Sequence, residues 1–151
     1  MSQKSLVAEA VKKYGNKREN LMSILQYVYQ HKHQLSKEDM QEIAAELDLS
    51  SADVYGTASF YSFLETQERG KNIIRVCKSI SCDMKGKEQI ISAIEDRLNI
   101  KLGQTSPDKK FSLLEANCLG WCHKGPAMLI NDKAYTELTP EKAVAAIEEN
   151  L

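Results

Sequence analysis

Residues 73–86 read IIRVCKSISCDMKG, and this stretch decides the fold of the second half of the chain. Its β-branched start favours a short strand that runs directly into Cys77. The polar segment ETQERGKN at 65–72 precedes it, and no strand pattern occurs earlier in the sequence. We therefore predict a domain boundary at this segment, with a helical domain over 1–69 and a second domain over 70–151.

The second domain shows the pattern of an α/β fold. Its predicted elements after the first strand are a helix within 86–100, a strand over 111–115, a hairpin with strands at 127–130 and 134–138, and a helix that begins after Thr139. A strand–helix–strand unit gives two parallel strands, and a hairpin adds antiparallel neighbours. We therefore predict a mixed four-stranded sheet flanked by helices.

The first domain shows only helical periodicity. Apolar residues recur at three and four positions between Leu21 and Tyr29, which makes one continuous apolar stripe. Ser36 and Asp39 have the spacing of a capping box, with aspartate in place of the usual glutamate. Three or four short amphipathic helices of this kind must bury their stripes together, so we predict a small helical bundle.

Composition excludes several classes of function. The chain has 151 residues, and 20 Lys and Arg balance 21 Asp and Glu, for a formal net charge of -1. No overall positive field exists to attract nucleic acid. The longest apolar run, Ala143 to Ile147, is far too short to span a bilayer, and the N-terminus lacks the apolar core of a secretory signal. We expect a cytoplasmic protein with no membrane insertion.

The four cysteines form two close pairs, Cys77 with Cys82 and Cys118 with Cys122. A reducing compartment disfavours disulfides, which leaves metal binding or redox chemistry. Both pairs follow strands that are predicted to be parallel neighbours, so all four thiols should lie close together. Four thiolates suit zinc or an iron–sulfur cluster, and the spacing and the setting favour the cluster. A dithiol redox role for Cys118 and Cys122 is a weaker alternative, because it would leave Cys77 and Cys82 without a function.

The charge of such a cluster would require compensation. Four thiolates leave an oxidised two-iron cluster at about -2 and its reduced form at about -3. In the two predicted loops that carry the cysteine pairs, glycines can bring backbone N–H groups close to sulfur, namely Gly86, Gly120 and Gly125. Four lysines also lie in or beside these loops: Lys78, Lys85, Lys87 and Lys124. The lysines are equally well explained as solvated surface residues.

Three motifs together resemble a known family. VCKSISCDMKG at 76–86, NCLGWCHKGP at 117–126 and DVYGTASFYSF at 53–63 resemble the thioredoxin-like 2Fe-2S ferredoxin family, and the resemblance extends over residues 18–150. Members include the small electron-transfer subunit beside the flavoprotein of respiratory complex I. The chain is also similar to small subunits of NAD(P)-linked, often electron-bifurcating, iron hydrogenases and of NAD-dependent formate dehydrogenases.

The resemblance implies a site and a role. One 2Fe-2S cluster would be held by Cys77, Cys82, Cys118 and Cys122, with no catalytic residue on this chain. FMN and NAD(P) would lie on a partner flavoprotein, and a further catalytic subunit would be of the hydrogenase or formate dehydrogenase type. Our leading expectation is therefore an electron-transfer subunit of such a soluble complex, non-catalytic alone. The alternatives are a subunit of the complex I peripheral arm and, in another class, a zinc-stabilised interaction module without redox function.

Aromatic residues end the third motif and have two explanations. Phe60, Tyr61 and Phe63 can close the core of the helical domain. They can equally pack on the flavoprotein partner, because aromatic residues are enriched at protein interfaces.

Overall fold

The computed structural model describes residues 5–61 and 63–151, so Ser62 of the aromatic motif lies outside the described residues. Two compact units divide the chain, one ending at Glu68 and the other beginning at Arg69. No helix within 5–61 or 63–151 is long and apolar enough to cross a membrane.

The described part of the first unit contains one 3-10 turn, Arg18–Asn20, and four α-helices: α1 Leu6–Tyr14, α2 Leu21–Lys32, α3 Lys37–Glu46 and α4 Ser51–Phe60. Serine hydroxyls accept backbone N–H groups at the start of three of them, namely Ser5, Ser36 and Ser50. Apolar stripes from all four helices form one core that also includes Leu35 and Leu64. The predicted helical character of this part of the chain is confirmed.

The second unit is built on a four-stranded sheet in the order β2-β1-β3-β4. Its elements are β1 Asn72–Cys77, α5 Ile80–Met84, α6 Lys87–Leu98, β2 Phe111–Ala116, β3 Met128–Ile130, β4 Lys133–Tyr135 and α7 Pro140–Glu148. Strand β1 pairs in parallel with β2 and antiparallel with β3, and β3 pairs antiparallel with β4. The prediction of a mixed sheet is confirmed.

Side-chain alternation along β1 separates the core from the cysteines. Ile74 and Val76 point into the main core, where they pack with apolar residues of α6 and α7. Because successive side chains of a strand point to opposite faces, Cys77 points away from that core. Cys77 instead forms a small separate apolar cluster with Cys82 and Ala127.

Two local predictions differ from the structure. The segment between Cys77 and Gly86, predicted as a loop, contains the short helix α5. Strand β4 was expected over 134–138, but it covers only Lys133–Tyr135. The amide of Leu138 donates instead to the Pro126 carbonyl at 3.1 Å, so the chain leaves the hairpin ladder before this residue.

The capping box of α3 generates a first prediction. The Asp39 carboxylate accepts from Lys32 Nζ at 2.6 Å and from the Ser36 hydroxyl at 2.7 Å. Burial raises the pKa of Asp39, but the hydrogen bonds from Lys32 and Ser36 outweigh it, and the net shift of the pKa is downward from 3.8. A carboxyl group whose pKa is lower in the folded state stabilises the fold above its unfolded pKa, and this stability is lost as the pH falls through the folded-state pKa.

We expect Asp39→Asn to lower the free energy of unfolding by about 1–3 kcal/mol at pH 7, since a charged hydrogen-bonding group is lost from a buried position. The difference in the free energy of unfolding between this variant and the parent protein should become smaller as the pH falls below about 4. Urea unfolding followed by circular dichroism measures both effects. Glu38→Gln is the control, because Glu38 is an exposed carboxylate in the same helical turn. If Asp39→Asn lowered the free energy of unfolding by the same amount at every pH, this role of the Asp39 charge would be contradicted.

Candidate metal centre

Strand pairing positions the first cysteine. Cys77 is the last residue of β1 and lies opposite Ala116, the last residue of β2. Its amide donates to the Ala127 carbonyl at 3.0 Å, and the next amide, of Lys78, donates to the Ala116 carbonyl at 2.8 Å. Cys118 follows Ala116 by two residues, so the end of the parallel pair brings both cysteine segments together.

Helix α5 positions the second cysteine. Cys82 faces inward from α5 and is 1% exposed, and Cys77 is 2% exposed. Both thiols pack with Ala127 and against Leu119 of the second cysteine segment. This inner pair is therefore shielded from solvent by elements on each side.

The second pair is exposed. Cys118 Sγ and Cys122 Sγ lie 3.2 Å apart, and neither thiol is in a disulfide. The Gly120 amide is directed at Cys118 Sγ at 3.4 Å. A short 3-10 turn, Cys122–Lys124, follows, and Lys85 Nζ donates to the Cys122 carbonyl at 3.0 Å.

The thiols influence one another's ionisation. The hydrogen bond and the charge of Cys118 raise the pKa of Cys122, and partial desolvation and the charges of Cys77 and Cys82 raise it further. Burial also disfavours ionisation of Cys77, but hydrogen bonds from the Ser79 hydroxyl, from the Ser79 amide and from the Leu119 amide outweigh it and lower the Cys77 pKa. The pairing of the strand ends, the packing of Leu119 on the inner pair and the contact between the outer sulfurs place the four predicted site residues at one end of the sheet.

Two contacts to sulfur were missed from the sequence. Ser79 Oγ lies 3.2 Å from Cys77 Sγ, and the serine makes no side-chain cap bond although it stands at the N-cap of α5. A serine directly before an apolar residue, here Ser79 before Ile80, is the pattern of a helix N-cap, so the sequence did carry a start signal for α5. The contact from the Leu119 amide depends on the packing of two distant segments and leaves no local signal.

The lysines divide into two kinds. Lys87 is 8% exposed, and its Nζ lies 3.3 Å from Glu115 Oε1 and 3.8 Å from Asp83 Oδ1. The charge of Lys87 is therefore paired with nearby carboxylates. Burial lowers the pKa of Lys87, but Glu115, Asp83 and Glu88 outweigh it, and the net shift of the pKa is upward. Lys78, Lys85 and Lys124 are exposed. Of these three, Lys85 is tied to the second cysteine segment by its bond to the Cys122 carbonyl.

The donor set fits a two-iron cluster. Within residues 5–61 and 63–151, no group of three or more His, Cys, Asp or Glu side chains is placed so as to hold a metal ion. A [2Fe-2S] cluster instead takes four thiolates, with two pairs on two irons joined by sulfide. The four free thiols, the amide donors that face two of them and the absence of a side chain at Gly125 suit such a group.

Comparison with known proteins identifies the family. Residues 7–151 match the family described as thioredoxin-like [2Fe-2S] ferredoxin, and the chain belongs to this family. The resemblance stated from the motifs is confirmed, and so is the expected cofactor, a 2Fe-2S cluster.

Named relatives are corresponding subunits of one kind of complex, NADH-quinone oxidoreductase. The relative from Buchnera aphidicola subsp. Baizongia pistaciae is 35% identical over 148 residues, which cover 98% of this chain and 86% of that protein. The relative from Pseudomonas aeruginosa is 32% identical over 147 residues, covering 97% and 89%. The relative from Escherichia coli K12 is 43% identical over 106 residues, covering 70% of this chain and 64% of that protein.

A solved structure shows the same fold. The crystal structure of an NAD+-reducing [NiFe]-hydrogenase in the H2-reduced state matches with a TM-score of 0.77 at 23% identity. The match covers 86% of this chain but only 22% of the hydrogenase chain. At this identity the likeness concerns the fold alone.

The close approach at Gly125 generates a prediction. A Cβ atom at this position would lie 3.1 Å from Cys82 Sγ and 3.5 Å from Lys85 Cδ. Alanine requires a shift of a few tenths of an ångström, whereas the branched side chain of valine must displace the sulfur. We expect Gly125→Ala to retain iron and sulfide and Gly125→Val to lose most of both, as measured by metal and sulfide analysis after anaerobic purification.

The control is Gly56→Ala, since no atom lies within 4 Å of a Cβ at that position. Full cluster content in Gly125→Val would show that the backbone does not need to approach this sulfur.

Proposed function

We propose that this chain is an electron-transfer subunit of an NADH-quinone oxidoreductase of the complex I type and carries one [2Fe-2S] cluster. The observation that carries the proposal is that two thiol pairs lie beyond the aligned ends of two parallel strands in a chain of this family. The names of its relatives support the type of complex.

These relatives favour the complex I alternative over the hydrogenase or formate dehydrogenase reading. Three relatives from different bacteria are each named as a subunit of NADH-quinone oxidoreductase. The hydrogenase likeness concerns the fold alone and spans about a fifth of that chain. The family match also favours a cluster over the zinc-stabilised module.

In this proposal Cys77 and Cys82 would hold one iron, and Cys118 and Cys122 would hold the other. The 3.2 Å contact between the sulfurs of Cys118 and Cys122 supports their assignment to the same iron. When bound, the cluster accepts and releases one electron at a time. The chain has four tasks around it: to supply thiolates, to exclude water from the inner pair, to stabilise negative charge and to expose one edge.

Charge stabilisation falls to hydrogen-bond donors rather than to buried cations. The Ser79 hydroxyl and the Leu119 amide face Cys77, and the Gly120 amide faces Cys118. Donors to sulfur favour the more negative, reduced state and raise the reduction potential. Lys85 adds a cation near the outer pair without contacting sulfur.

The exposed pair marks the edge at which electrons enter and leave. Ile80 and Met84 lie one turn apart on α5, and they are 78% and 83% exposed. Trp121, between the outer cysteines, is 38% exposed. Large apolar side chains in solvent around a redox site are typical of a surface that a protein partner covers. We assign this partner to the FMN-bearing, NADH-oxidising subunit.

The helical unit offers a second contact surface, formed by Tyr55, Phe60, Tyr61 and Phe63. Phe60 is 80% exposed, and its ring meets Tyr61 edge to face at 5.1 Å between centroids. These side chains are in solvent, so they do not close the helical core. Aromatic side chains are frequent among residues that dominate binding energy, and we propose that this aromatic surface binds the same flavoprotein.

The test is electron delivery from NADH to the purified, cluster-loaded chain, with the FMN-bearing subunit produced separately and added back. We expect NADH alone to leave the visible absorption of the cluster unchanged. NADH with the flavoprotein should bleach it, because FMN converts hydride into single electrons. Failure of this bleaching in a sample that dithionite reduces fully would overturn the proposed complex.

Phe60→Ala tests the aromatic surface in the same assay. In the Phe60→Ala variant we expect the flavoprotein concentration that gives the half-maximal rate of bleaching to be about ten times that of the parent. This is the effect of losing a side chain that dominates an interface. Iron content should be unchanged, since the substitution lies in the other unit. Leu102→Ala is the control at an exposed apolar residue outside both surfaces. Equal effects of the two substitutions would remove the aromatic surface from the interface.

A further inference from the structure

The two thiol pairs differ in their access to solvent. Cys77 and Cys82 are 2% and 1% exposed, whereas Cys118 and Cys122 are both exposed. The outer sulfurs lie 3.2 Å apart, and a disulfide requires about 2.0 Å. The two sulfurs must therefore approach each other by about 1.2 Å to form the bond.

We propose that Cys118 and Cys122 are a thiol-oxidation site. In the cluster-free chain they form an intrachain disulfide on meeting a small-molecule disulfide, and this bond blocks cluster insertion. The consequence for insertion depends on the proposed ligand role of the two residues, whereas formation of the disulfide does not.

The reaction balances without a further reactant. The thiolate of one outer cysteine attacks a sulfur of oxidised glutathione, which forms a mixed disulfide and releases one glutathione. The thiol of the other cysteine, already in contact, attacks the mixed disulfide and releases a second glutathione. The two protein sulfurs are oxidised by two electrons in total, one glutathione disulfide is reduced, and the two thiol protons pass to the two glutathiones.

The inner pair is protected from the same reaction by packing. Its sulfurs are covered by Ala127 and Leu119, and the backbone of Gly125 lies close against Cys82. A disulfide reagent must reach a thiolate in line with its own S–S bond, and a sulfur that is 1–2% exposed leaves no path for it. Oxidation should therefore be selective for the outer pair.

Selective oxidation would remove two of the four ligands without unfolding the chain. Insertion of the cluster would then require a thiol reductant, so the thiol balance of the cell would decide when the chain can be loaded. Once the cluster is bound, both outer sulfurs are iron ligands in the proposed arrangement and are no longer free to react.

Mass spectrometry of the full cluster-free chain tests the disulfide itself. Treatment with oxidised glutathione should lower the mass by about 2 Da and leave two alkylatable thiols. Trypsin cleaves after Lys110 and Lys124, so the predicted bond lies within the single peptide 111–124. Cleavage after Lys78 separates Cys77 from Cys82, so a bond between them would join two peptides.

Two variants serve as matched controls. Cys77→Ser should still lose about 2 Da, because the outer pair is intact. Cys118→Ser should gain a glutathione adduct on Cys122 instead. A bond that joins the peptides of the inner pair, or four glutathione adducts, would overturn the proposal.

Cluster reconstitution with iron and sulfide tests the consequence. We expect the oxidised chain to take up almost no cluster until dithiothreitol is added, and the reduced chain to take it up at once. Equal uptake by the two forms would overturn the block. No uptake by the reduced chain would count against the proposed function instead, and the mass measurement would still decide the disulfide.

Discussion

The parallel pairing of β1 with β2 is the constraint on which the site depends. The Lys78 amide donates to the Ala116 carbonyl at 2.8 Å, which aligns the ends of the two strands. Cys77 ends the first strand and Cys118 follows the second, so residues 41 positions apart in sequence become neighbours. A shift of the register by one residue would turn Cys77 toward the core of α6 and α7 and separate the two pairs.

The depth of the two pairs then determines what each can do. The inner thiols are sealed by α5 and by the segment around Ala127, where water cannot compete for the metal or for hydrogen bonds to sulfur. The outer thiols lie in solvent beside Trp121 and Lys85. In the proposed function the inner side of the site would provide stability, and the outer side would provide access for electrons and, before the cluster is inserted, for thiol reagents.

Local patterns predicted most of the elements, and long-range contacts account for the rest. The Ser36 and Asp39 capping box and the final helix that begins at Pro140 follow from residues within one turn of each helix end. Helix α5 escaped prediction because five residues are too few to show a period, and the start signal at Ser79 alone does not establish a helix. The early end of β4 depends on the bond from Leu138 to Pro126, which no local pattern encodes. Cysteine spacing indicated the site, but it carries no information on the depth of each thiol.

The central claim is that the four thiols hold one two-iron cluster. Its most direct test is anaerobic purification of the chain with iron, sulfide and zinc measured on the same sample, followed by low-temperature EPR before and after dithionite. The account predicts about two irons and two sulfides per chain, no signal in the oxidised protein and one unpaired spin after reduction. A colourless chain with about one zinc and no sulfide would contradict it.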